Sequence, residues 1–165
     1  MGSLLIIRGA PGVGKSAVGK LFSENFKNGV TIEIDEIRRM INAISWISTK
    51  EHLDAIGAAR SLLLSYWESN YDPVTIIDTL SQGTINIILG NIPKEIDYKI
   101  ISLYADEAVI KDRILARNSG FMDYDLSFKV NTSIMQEKLD YNYLVNTSDL
   151  SVREVFNKVI ELLQR

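Results

Sequence analysis

The sequence predicts one α/β domain in which a parallel β-sheet is covered by helices on both faces. Short apolar runs alternate along the chain with segments of helical periodicity, an order typical of parallel strands joined by helices. The first apolar run, Leu4-Leu5-Ile6-Ile7, is uninterrupted, as expected for a strand that is buried on both faces. A chain of 165 residues is long enough for one such domain with a complete core.

Five strands are predicted, each from an apolar run next to turn-forming residues. Asn28-Gly29 precedes the second strand, and Asp72-Pro73 separates the third strand from the helix before it. The predicted strands cover residues 4–7, 30–34, 74–77, 99–103 and 143–146.

Helices are predicted between the strands and after the last one. Capping-box spacing marks the start of two of them, at Ser48 to Glu51 and at Ser151 to Glu154. The first helix follows the first strand and ends near residue 25, and the last begins at residue 151. The helices between them are predicted from residue 36 through 41, and over 48–69, 82–89, 106–117 and 126–139.

Composition excludes several classes of function. The chain has no cysteine, so it has no disulfide, no thiolate zinc site and no cysteine nucleophile. The formal net charge of −3 provides no overall attraction for nucleic acid or an anionic membrane. No apolar run approaches the roughly 20 residues of a membrane span, and the first strand leaves no room for a signal peptide. We therefore expect a cytoplasmic protein.

A glycine-rich loop joins the first strand to the first helix and has the spacing Gly-x4-Gly-Lys-Ser. Its glycines let successive backbone N–H groups curl around phosphates, and the helix dipole adds positive potential there. Lys15 can reach the β- and γ-phosphates, and the Ser16 hydroxyl can bind Mg²⁺. The predicted nucleoside-triphosphate site comprises Gly9, Ala10, Pro11, Gly12, Val13, Gly14, Lys15, Ser16 and Ala17.

Two aspartates complete the predicted site. Asp35 follows the second predicted strand and Asp78 follows the third. Ligands of parallel α/β sheets bind at the carboxyl ends of the strands. Asp35 and Asp78 should therefore lie at the same edge of the sheet as the glycine-rich loop.

On these residues the chain resembles the P-loop kinase superfamily over its whole length. It looks closest to the branch of polynucleotide 5′-hydroxyl kinases, chloramphenicol phosphotransferase-like enzymes and zeta-toxin-like kinases. The resemblance implies a three-layer P-loop fold with sheet order 2-3-1-4-5, and the use of ATP and Mg²⁺. The residues that carry it are Gly9 to Ser16, Asp35-Glu36-Ile37-Arg38, Asp78-Thr79, and Arg113 with Arg117.

The resemblance also implies roles on the acceptor and metal side. Asp35 would take the proton from an acceptor hydroxyl, or it is only the N-cap of a helix that begins at Glu36. Arg38 would hold the acceptor, or it is a solvated surface arginine, as Arg39 beside it is expected to be. Asp78 would act with Ser16 in Mg²⁺ binding, or it is a turn aspartate.

On the nucleotide side the resemblance implies two arginines and a lid. Arg113 would stack on the adenine, and Arg117 would meet the transferring phosphoryl group. Otherwise both are solvated cations at a helix end, placed four apart on one face. Residues 118–125 would form a short lid over the nucleotide.

Several other residues carry weaker expectations. His52, the only histidine, is expected at the surface. Arg60 points either to the acceptor pocket or to solvent. Trp46, Trp67 and Tyr71 are expected in the core.

Three functions compete. The first is an ATP-dependent phosphotransferase with Mg²⁺ that acts on a hydroxyl of a small molecule. The second is a polynucleotide 5′-hydroxyl kinase, favoured by the Asp35-to-Arg38 spacing and opposed by the acidic composition. The third, a regulatory nucleotide-binding protein of GTPase type, lacks the Asn-Lys-x-Asp motif that reads guanine. The basic residues near the acceptor side could hold one phosphate or carboxylate but not a strand, so no nucleic-acid partner is expected: Arg38, Arg39, Lys50 and Arg60.

Overall fold

Five parallel strands form one sheet in the computed structural model, which describes residues 3–117 and 121–164. The strand order is β2-β3-β1-β4-β5, which confirms the order implied by the resemblance. The strands are β1 Ser3–Gly9, β2 Val30–Glu33, β3 Val74–Asp78, β4 Asp97–Tyr104 and β5 Asn142–Asn146.

Helices connect the strands, as predicted. The described helices are α1 Lys15–Asn25, α2 Ile34–Arg38, α3 Thr49–Glu68, α4 Gln82–Leu89, α5 Glu107–Leu115, α6 Tyr124–Gln136 and α7 Val152–Leu163. Among these described residues, no helix combines the length and the apolar character needed to span a membrane.

The core lies on both faces of the sheet, and β1 separates its two halves. Leu5 and Ile7 belong to the cluster that includes buried residues of α1, α5 and α7. Leu4 and Ile6 point to the other face and join the cluster formed with α3 and α4. Because successive side chains of a strand point to opposite faces, a strand that serves two layers must be apolar throughout.

The second strand ends earlier than the sequence predicts. Ile34 is fully buried and opens α2, so Asp35 lies in the first turn of this helix. The N-cap of α2 is Glu33, and the interpretation of Asp35 as the N-cap is therefore wrong. The short helix ends at Arg38, and hydrogen bonds from Met40 and Ile41 to the third residue before each tighten the chain after it.

The fifth helix also ends earlier than predicted. It stops at Leu115, and the Arg117 N–H bonds to the carbonyl of Ile114 in a tightened last turn. Arg113 and Arg117 therefore do not share one helical face, because Arg117 lies beyond the helix. Of the predicted lid, residues 118–120 lie outside the described residues, and Tyr124 already begins α6.

The two predicted capping boxes differ. At α7 the box is complete, because Ser151 and Glu154 each bond to the backbone of the other. At α3 the Ser48 hydroxyl accepts from the Glu51 N–H, but the Glu51 carboxylate accepts from the Ser45 N–H instead. The loop before α3 is thus tied to the first turn of that helix.

Candidate active site

A cavity of about 310 Å³ opens at the carboxyl edge of the sheet. Its walls come from the glycine-rich loop, the start of α1, the ends of β2 and β3, and the chain after α5. Lys15, Ser16, Asp35, Asp78 and Arg117 all line it. The sheet therefore brings together five of the residues predicted for the site.

The backbone of the loop requires glycine at two positions. Gly12 has φ of 92° and Gly14 has φ of 99°, conformations that L side chains rarely adopt. At Gly12 a Cβ would also lie 3.3 Å from side-chain atoms of Ile110 and Ile114. These two glycines turn the chain from β1 into α1 in a curve that other residues would strain.

Five consecutive carbonyl groups of the loop, from Gly9 to Val13, each accept a hydrogen bond from a side chain. The bonds to the carbonyls of Gly9, Ala10 and Val13 are 3.0 Å long, and the bond to Gly12 is 3.5 Å long. The donors, in the order of the carbonyls, are Thr79, Lys15, Ser127, Arg113 and Thr147.

These bonds determine what the loop offers to a ligand. In a trans peptide unit the N–H and C=O groups point in opposite directions. Because these carbonyl groups are paired with side chains, the N–H groups of the loop are left for a ligand, except that of Val13, which donates to the Ala10 carbonyl at 3.4 Å. A curve of N–H groups is the arrangement that binds an anion such as phosphate.

The start of α1 adds further donors. Its N-cap is Gly14, which has no side chain to cap the helix, and its first turn contains no acidic residue. By contrast, side chains of Ser48, Ser81, Asp123 and Ser151 cap α3, α4, α6 and α7. The first N–H groups of α1 lack intrahelical partners, and together with the helix dipole they favour an anion.

Lys15 supplies the positive charge beside this loop. Burial lowers the pKa of its ammonium group to about 8, although the carboxylates of Asp78 and Asp35 raise it in part. Arg117 lowers the pKa further because like charges repel. With a pKa of about 8, Lys15 is still mostly protonated at pH 7, and a bound phosphate would favour that charged form.

Asp78 provides a buried carboxylate on the same cavity. It ends β3, it is 8% exposed, and its Oδ2 atom has no hydrogen-bond partner among the described residues. Burial raises the pKa of Asp78, and a hydrogen bond from the Thr79 backbone N–H opposes that rise. Its enclosed position at the end of a strand disfavours the alternative that Asp78 is only a turn aspartate.

Ser16 and Asp78 are suited to bind Mg²⁺ in a site where phosphates of a nucleotide supply further ligands. A buried carboxylate oxygen without a donor and a hydroxyl on the same cavity are suitable oxygen ligands for Mg²⁺. Within residues 3–117 and 121–164, no group of three or more His, Cys, Asp or Glu side chains is placed to hold a metal by itself. Mg²⁺ commonly binds to one or two protein oxygens together with water and substrate phosphates.

His52 lies against Asp78 instead of at the surface. Its Nε2 atom is 3.7 Å from Asp78 Oδ2, and its side chain is 24% exposed. The buried Nδ1 atom has no hydrogen-bond partner among the described residues. The expectation of a surface histidine is therefore wrong, since α3 packs this residue against the end of β3.

Of the two arginines after Asp35, Arg38 is buried and Arg39 is exposed. Arg38 is 7% exposed, and its Nη2 atom donates to the carbonyls of Ser45 and Trp46. Arg39 lines the cavity and forms an ion pair with Glu36. This placement favours a structural role for Arg38, whereas Arg39 is exposed to solvent as expected and also contributes to the wall of the cavity.

Four other side chains that the sequence singled out, those of Arg60, Trp46, Tyr71 and Trp67, can now be placed. Arg60 donates to the carbonyl of Gly90, at 2.6 Å from Nη2, and so belongs to the scaffold. Trp46 is 49% exposed, so its assignment to the core is wrong, and the guanidinium carbon of Arg38 lies 4.8 Å from its ring centre. Tyr71, also expected in the core, is 37% exposed. Trp67 is partly buried and packs against the core cluster formed with α3 and α4.

A second cavity, of about 330 Å³, lies on the other side of the glycine-rich loop. Arg113, Arg117 and Thr147 line it together with apolar side chains of α1 and α7. Arg113 donates to the Thr147 carbonyl at 2.7 Å and to the Thr147 hydroxyl at 3.0 Å. Since both cavities include Gly12, Gly14 and Arg117, they meet at the loop.

Ser127 and Thr147 are site residues that sequence reasoning missed. Both are buried, and they reach the loop from positions 116 and 134 residues away in the chain. A single hydroxyl in a helix or after a strand has no local signal for such a role. Thr79 carried one signal, its place directly after Asp78 at a strand end.

Solved structures with the same fold include several kinases. A gluconokinase from Sinorhizobium meliloti 1021 is 19% identical, with 99% of this chain and 92% of that chain covered and a TM-score of 0.72. The tunicamycin resistance protein of Deinococcus radiodurans is 14% identical, with 99% and 96% covered and a TM-score of 0.73. A chain of the Pnkp1/Rnl/Hen1 RNA repair complex is 21% identical, with 85% of this chain and 47% of that chain covered and a TM-score of 0.70.

The sequence matches no protein-family model and no curated protein. Similarity at these identities shows the fold alone, and it extends over nearly the whole chain in the first two cases. The fold that the resemblance implies is therefore confirmed.

Proposed function

We propose that this protein is a phosphotransferase that moves the γ-phosphoryl group of ATP to a hydroxyl group of a small molecule. The observation that carries this proposal is the composition of the first cavity. One wall presents the glycine-rich loop and Lys15, which suit phosphates, and the same cavity contains the exposed carboxylate of Asp35. A phosphate site and a proton acceptor in one cavity are the parts that hydroxyl phosphorylation requires.

The nucleotide would span both cavities. The loop N–H groups and Lys15 would hold the β- and γ-phosphates, and the second cavity would hold the base beside Arg113. The Arg113 guanidinium donates hydrogen bonds to Thr147, and it would stack on the adenine while it is held by these bonds. Ser16 and Asp78 would hold Mg²⁺, which neutralises charge on the phosphates when it is bound.

Transfer would then proceed by in-line displacement. The oxygen of the acceptor hydroxyl forms a bond to the γ-phosphorus, and Asp35 accepts the proton that this hydroxyl loses. The bond from that phosphorus to the bridging oxygen breaks, and ADP leaves with the electron pair. Lys15 and Arg117, which both line the cavity, would stabilise the negative charge on the phosphoryl oxygens.

Replacement of Lys15 by alanine tests this function. Lys15→Ala removes the charge beside the loop, so we expect phosphoryl transfer to fall by at least roughly 10²-fold. The fold should survive, because the loop carbonyls of Gly9, Pro11, Gly12 and Val13 keep their other donors. The measurement is label transfer from γ-labelled ATP, together with thermal melting.

Lys20→Ala is the matched control, because Lys20 is an exposed lysine of the same helix that pairs with Glu24. It should leave transfer unchanged. Activity of Lys15→Ala within a few-fold of wild type would show that the loop does not take part in phosphoryl transfer.

A polynucleotide 5′-hydroxyl kinase is the second candidate. It is supported by the structural similarity to a chain of an RNA repair complex. It is opposed by the charges near the acceptor side, where Arg38 and Arg60 are bound to backbone carbonyls and Arg39 and Lys50 to carboxylates. Binding of single-stranded oligonucleotides, and transfer to their 5′-hydroxyl groups, would separate the two candidates.

A further inference from the structure

The first cavity contains a second carboxylate, that of Glu33, which lies close enough to Lys15 to raise the pKa of its ammonium group. Glu33 is the last residue of β2 and the N-cap of α2, and it lies beside Ile77 of β3 in the sheet register. Both Glu33 and Asp35, two residues later, line the cavity. The end of β2 therefore places two acidic side chains where an acceptor would meet the γ-phosphate.

The cationic side chains that line the same cavity each have a partner in the structure or in the proposed complex with ATP. Lys15 and Arg117 line the cavity, and phosphates of a nucleotide would pair with both of them. The remaining cation of the cavity wall, Arg39, forms an ion pair with Glu36. Its guanidinium also lies 5.6 Å from the ring centre of Trp46.

The neighbouring basic residues are paired with other groups in the structure. Arg38 and Arg60 donate to backbone carbonyls, of Ser45 and Trp46 in one case and of Gly90 in the other. Lys50 pairs with Asp54 at 2.6 Å. A carboxylate or phosphate on the acceptor would thus find no uncommitted cation among these residues.

A separate observation indicates that this cavity is built to receive a ligand. Asp78 is about nine-tenths buried and lines the cavity, and its Oδ2 atom lacks a hydrogen-bond partner among the described residues. A buried carboxylate oxygen left without a donor is costly unless a bound cation or donor group meets it. In the proposed function Mg²⁺ would meet this oxygen, so the observation supports a cavity that binds a ligand and leaves the charge of the acceptor to the argument from Glu33 and Asp35.

We infer that the acceptor is an uncharged or cationic polyhydroxyl compound, such as a free sugar, a polyol or an amino sugar, and that Glu33 determines this specificity. The inference rests on the proposed phosphotransferase function and narrows its substrate class. Carboxylates accept hydrogen bonds from hydroxyl and ammonium groups, with the charged pair the stronger. An anionic acceptor would face Glu33 and Asp35 at close range, and like charges brought together reject a ligand.

Four acceptor pools test the inference. They contain free sugars and polyols, amino sugars and amino alcohols, sugar acids, and sugar phosphates with nucleoside monophosphates. Each pool is incubated with wild-type protein, Mg²⁺ and γ-labelled ATP, and labelled products are separated from ATP. We expect transfer to the best compound of the first two pools to be at least about 10-fold faster than to any anionic compound.

A charge variant tests the role of Glu33 on the compounds found in this way. Glu33→Gln keeps the size and the hydrogen-bonding oxygen but removes the charge. We expect it to raise the KM of an amino-sugar acceptor by about 10-fold and to change the KM of a neutral sugar much less. Glu24→Gln, at an exposed glutamate of α1 outside the cavity, is the matched control and should change none of these.

The outcomes separate this inference from the function on which it rests. Transfer that depends on Lys15 but prefers an anionic pool overturns the inference and leaves the phosphotransferase in place. Lys15-dependent ATP binding without transfer to any pool also contradicts the acceptor class. Absence of both ATP binding and transfer overturns the phosphotransferase itself. Equal effects of Glu33→Gln on neutral and cationic acceptors would exclude Glu33 as the residue that determines specificity.

Discussion

Asp35 reaches the candidate site from the first turn of a five-residue helix, with its side chain exposed to the cavity. Its neighbours in that cavity are charged, since its carboxylate acts electrostatically on both Lys15 and Asp78. The N-cap of α2 is Glu33, so Asp35 has no capping role that would explain its place. An exposed carboxylate beside a phosphate-binding loop is suited to accept a proton.

Replacement of Asp35 by asparagine separates that role from simple binding. Asp35→Asn keeps the size of the side chain but removes the proton acceptor, so kcat should fall by roughly 10²–10⁴-fold. ATP affinity should barely change, which a titration with labelled nucleotide would show. Asp54→Asn, at an exposed aspartate of α3, is the control. A loss of ATP binding with transfer unchanged would instead assign Asp35 to the nucleotide site.

Thr147 tests whether the loop is held by its outer donors. Its hydroxyl donates to the Val13 carbonyl and accepts from Arg113, and the residue is 2% exposed. Thr147→Val keeps the shape but leaves the Val13 carbonyl unpaired, which should cost about 1–3 kcal/mol of unfolding free energy. A loosened loop should also weaken ATP binding, and the Kd should rise about 10-fold for each 1.4 kcal/mol of binding free energy that is lost.

Urea unfolding and ATP titration measure the two effects. Thr31→Val, the same change on β2, is the control and should leave ATP affinity unaltered, because valine suits a strand. An unchanged ATP affinity in Thr147→Val would mean that the loop keeps its shape without this donor.

At the scale of elements, the last helix shows how local sequence fixes a boundary. The Ser151 hydroxyl donates to the Glu154 carboxylate at 2.6 Å and accepts from the Glu154 N–H, and the Ser151 N–H donates to that carboxylate at 2.8 Å. These bonds lower the pKa of Glu154 below its ordinary value of 4.5. The start of α7 is therefore determined by two residues three positions apart.

Removal of the cap should destabilise the protein in a pH-dependent way. Ser151→Ala should lower the unfolding free energy by about 1 kcal/mol at pH 7, measured by urea unfolding. Because the pKa of Glu154 is lower in the folded state, its stabilising effect is present above pH 4.5 and is lost as the pH falls through the folded pKa. The difference between wild type and Glu154→Gln should therefore shrink in that acidic range.

Ser61→Ala, at an exposed position within α3, is the control for the serine change. Alanine favours a helix interior, so this variant should be as stable as wild type or slightly more stable. A difference between wild type and Glu154→Gln that stays constant below pH 4.5 would contradict the role of the charged carboxylate.

At the scale of the whole molecule, charge supports the proposal of a small-molecule acceptor over that of a polynucleotide. The chain carries 18 basic and 21 acidic side chains. The basic residues on the acceptor side are paired with carboxylates or with backbone carbonyls. Among the described residues on this side, these four basic side chains do not form a continuous path of free cations along which a strand of phosphates could lie.

We therefore predict no measurable binding of single-stranded oligonucleotides at physiological salt, and no transfer to their 5′-hydroxyl groups. A protein that neutralises several phosphates of a single strand loses affinity with salt, with a slope of about −0.7 for each phosphate. Fluorescence anisotropy at two salt concentrations and label transfer to 5′-hydroxyl DNA and RNA are the measurements. Micromolar binding that weakens with salt, together with transfer, would make the polynucleotide kinase the better assignment.

Much of the fold follows from the sequence because the signals are local. The buried strand β1, the glycine-rich loop and the capping residue Ser151 are each defined by neighbours a few positions away. Parallel strands then bring their carboxyl ends to one edge, which places Asp35 and Asp78 beside Lys15. The sheet order came from the resemblance, since periodicity does not specify which strands are neighbours.

Tertiary structure decided the features that depend on rotation and on distant contacts. In a helix each residue turns the side-chain direction by about 100°, so the early start of α2 buries Arg38 and brings Arg39 to the cavity. His52 meets Asp78 only because α3 packs across the end of β3. Ser127 and Thr147 reach the loop from positions 116 and 134 residues away in the chain, and hydroxyl side chains carry no sequence pattern that would reveal such pairing.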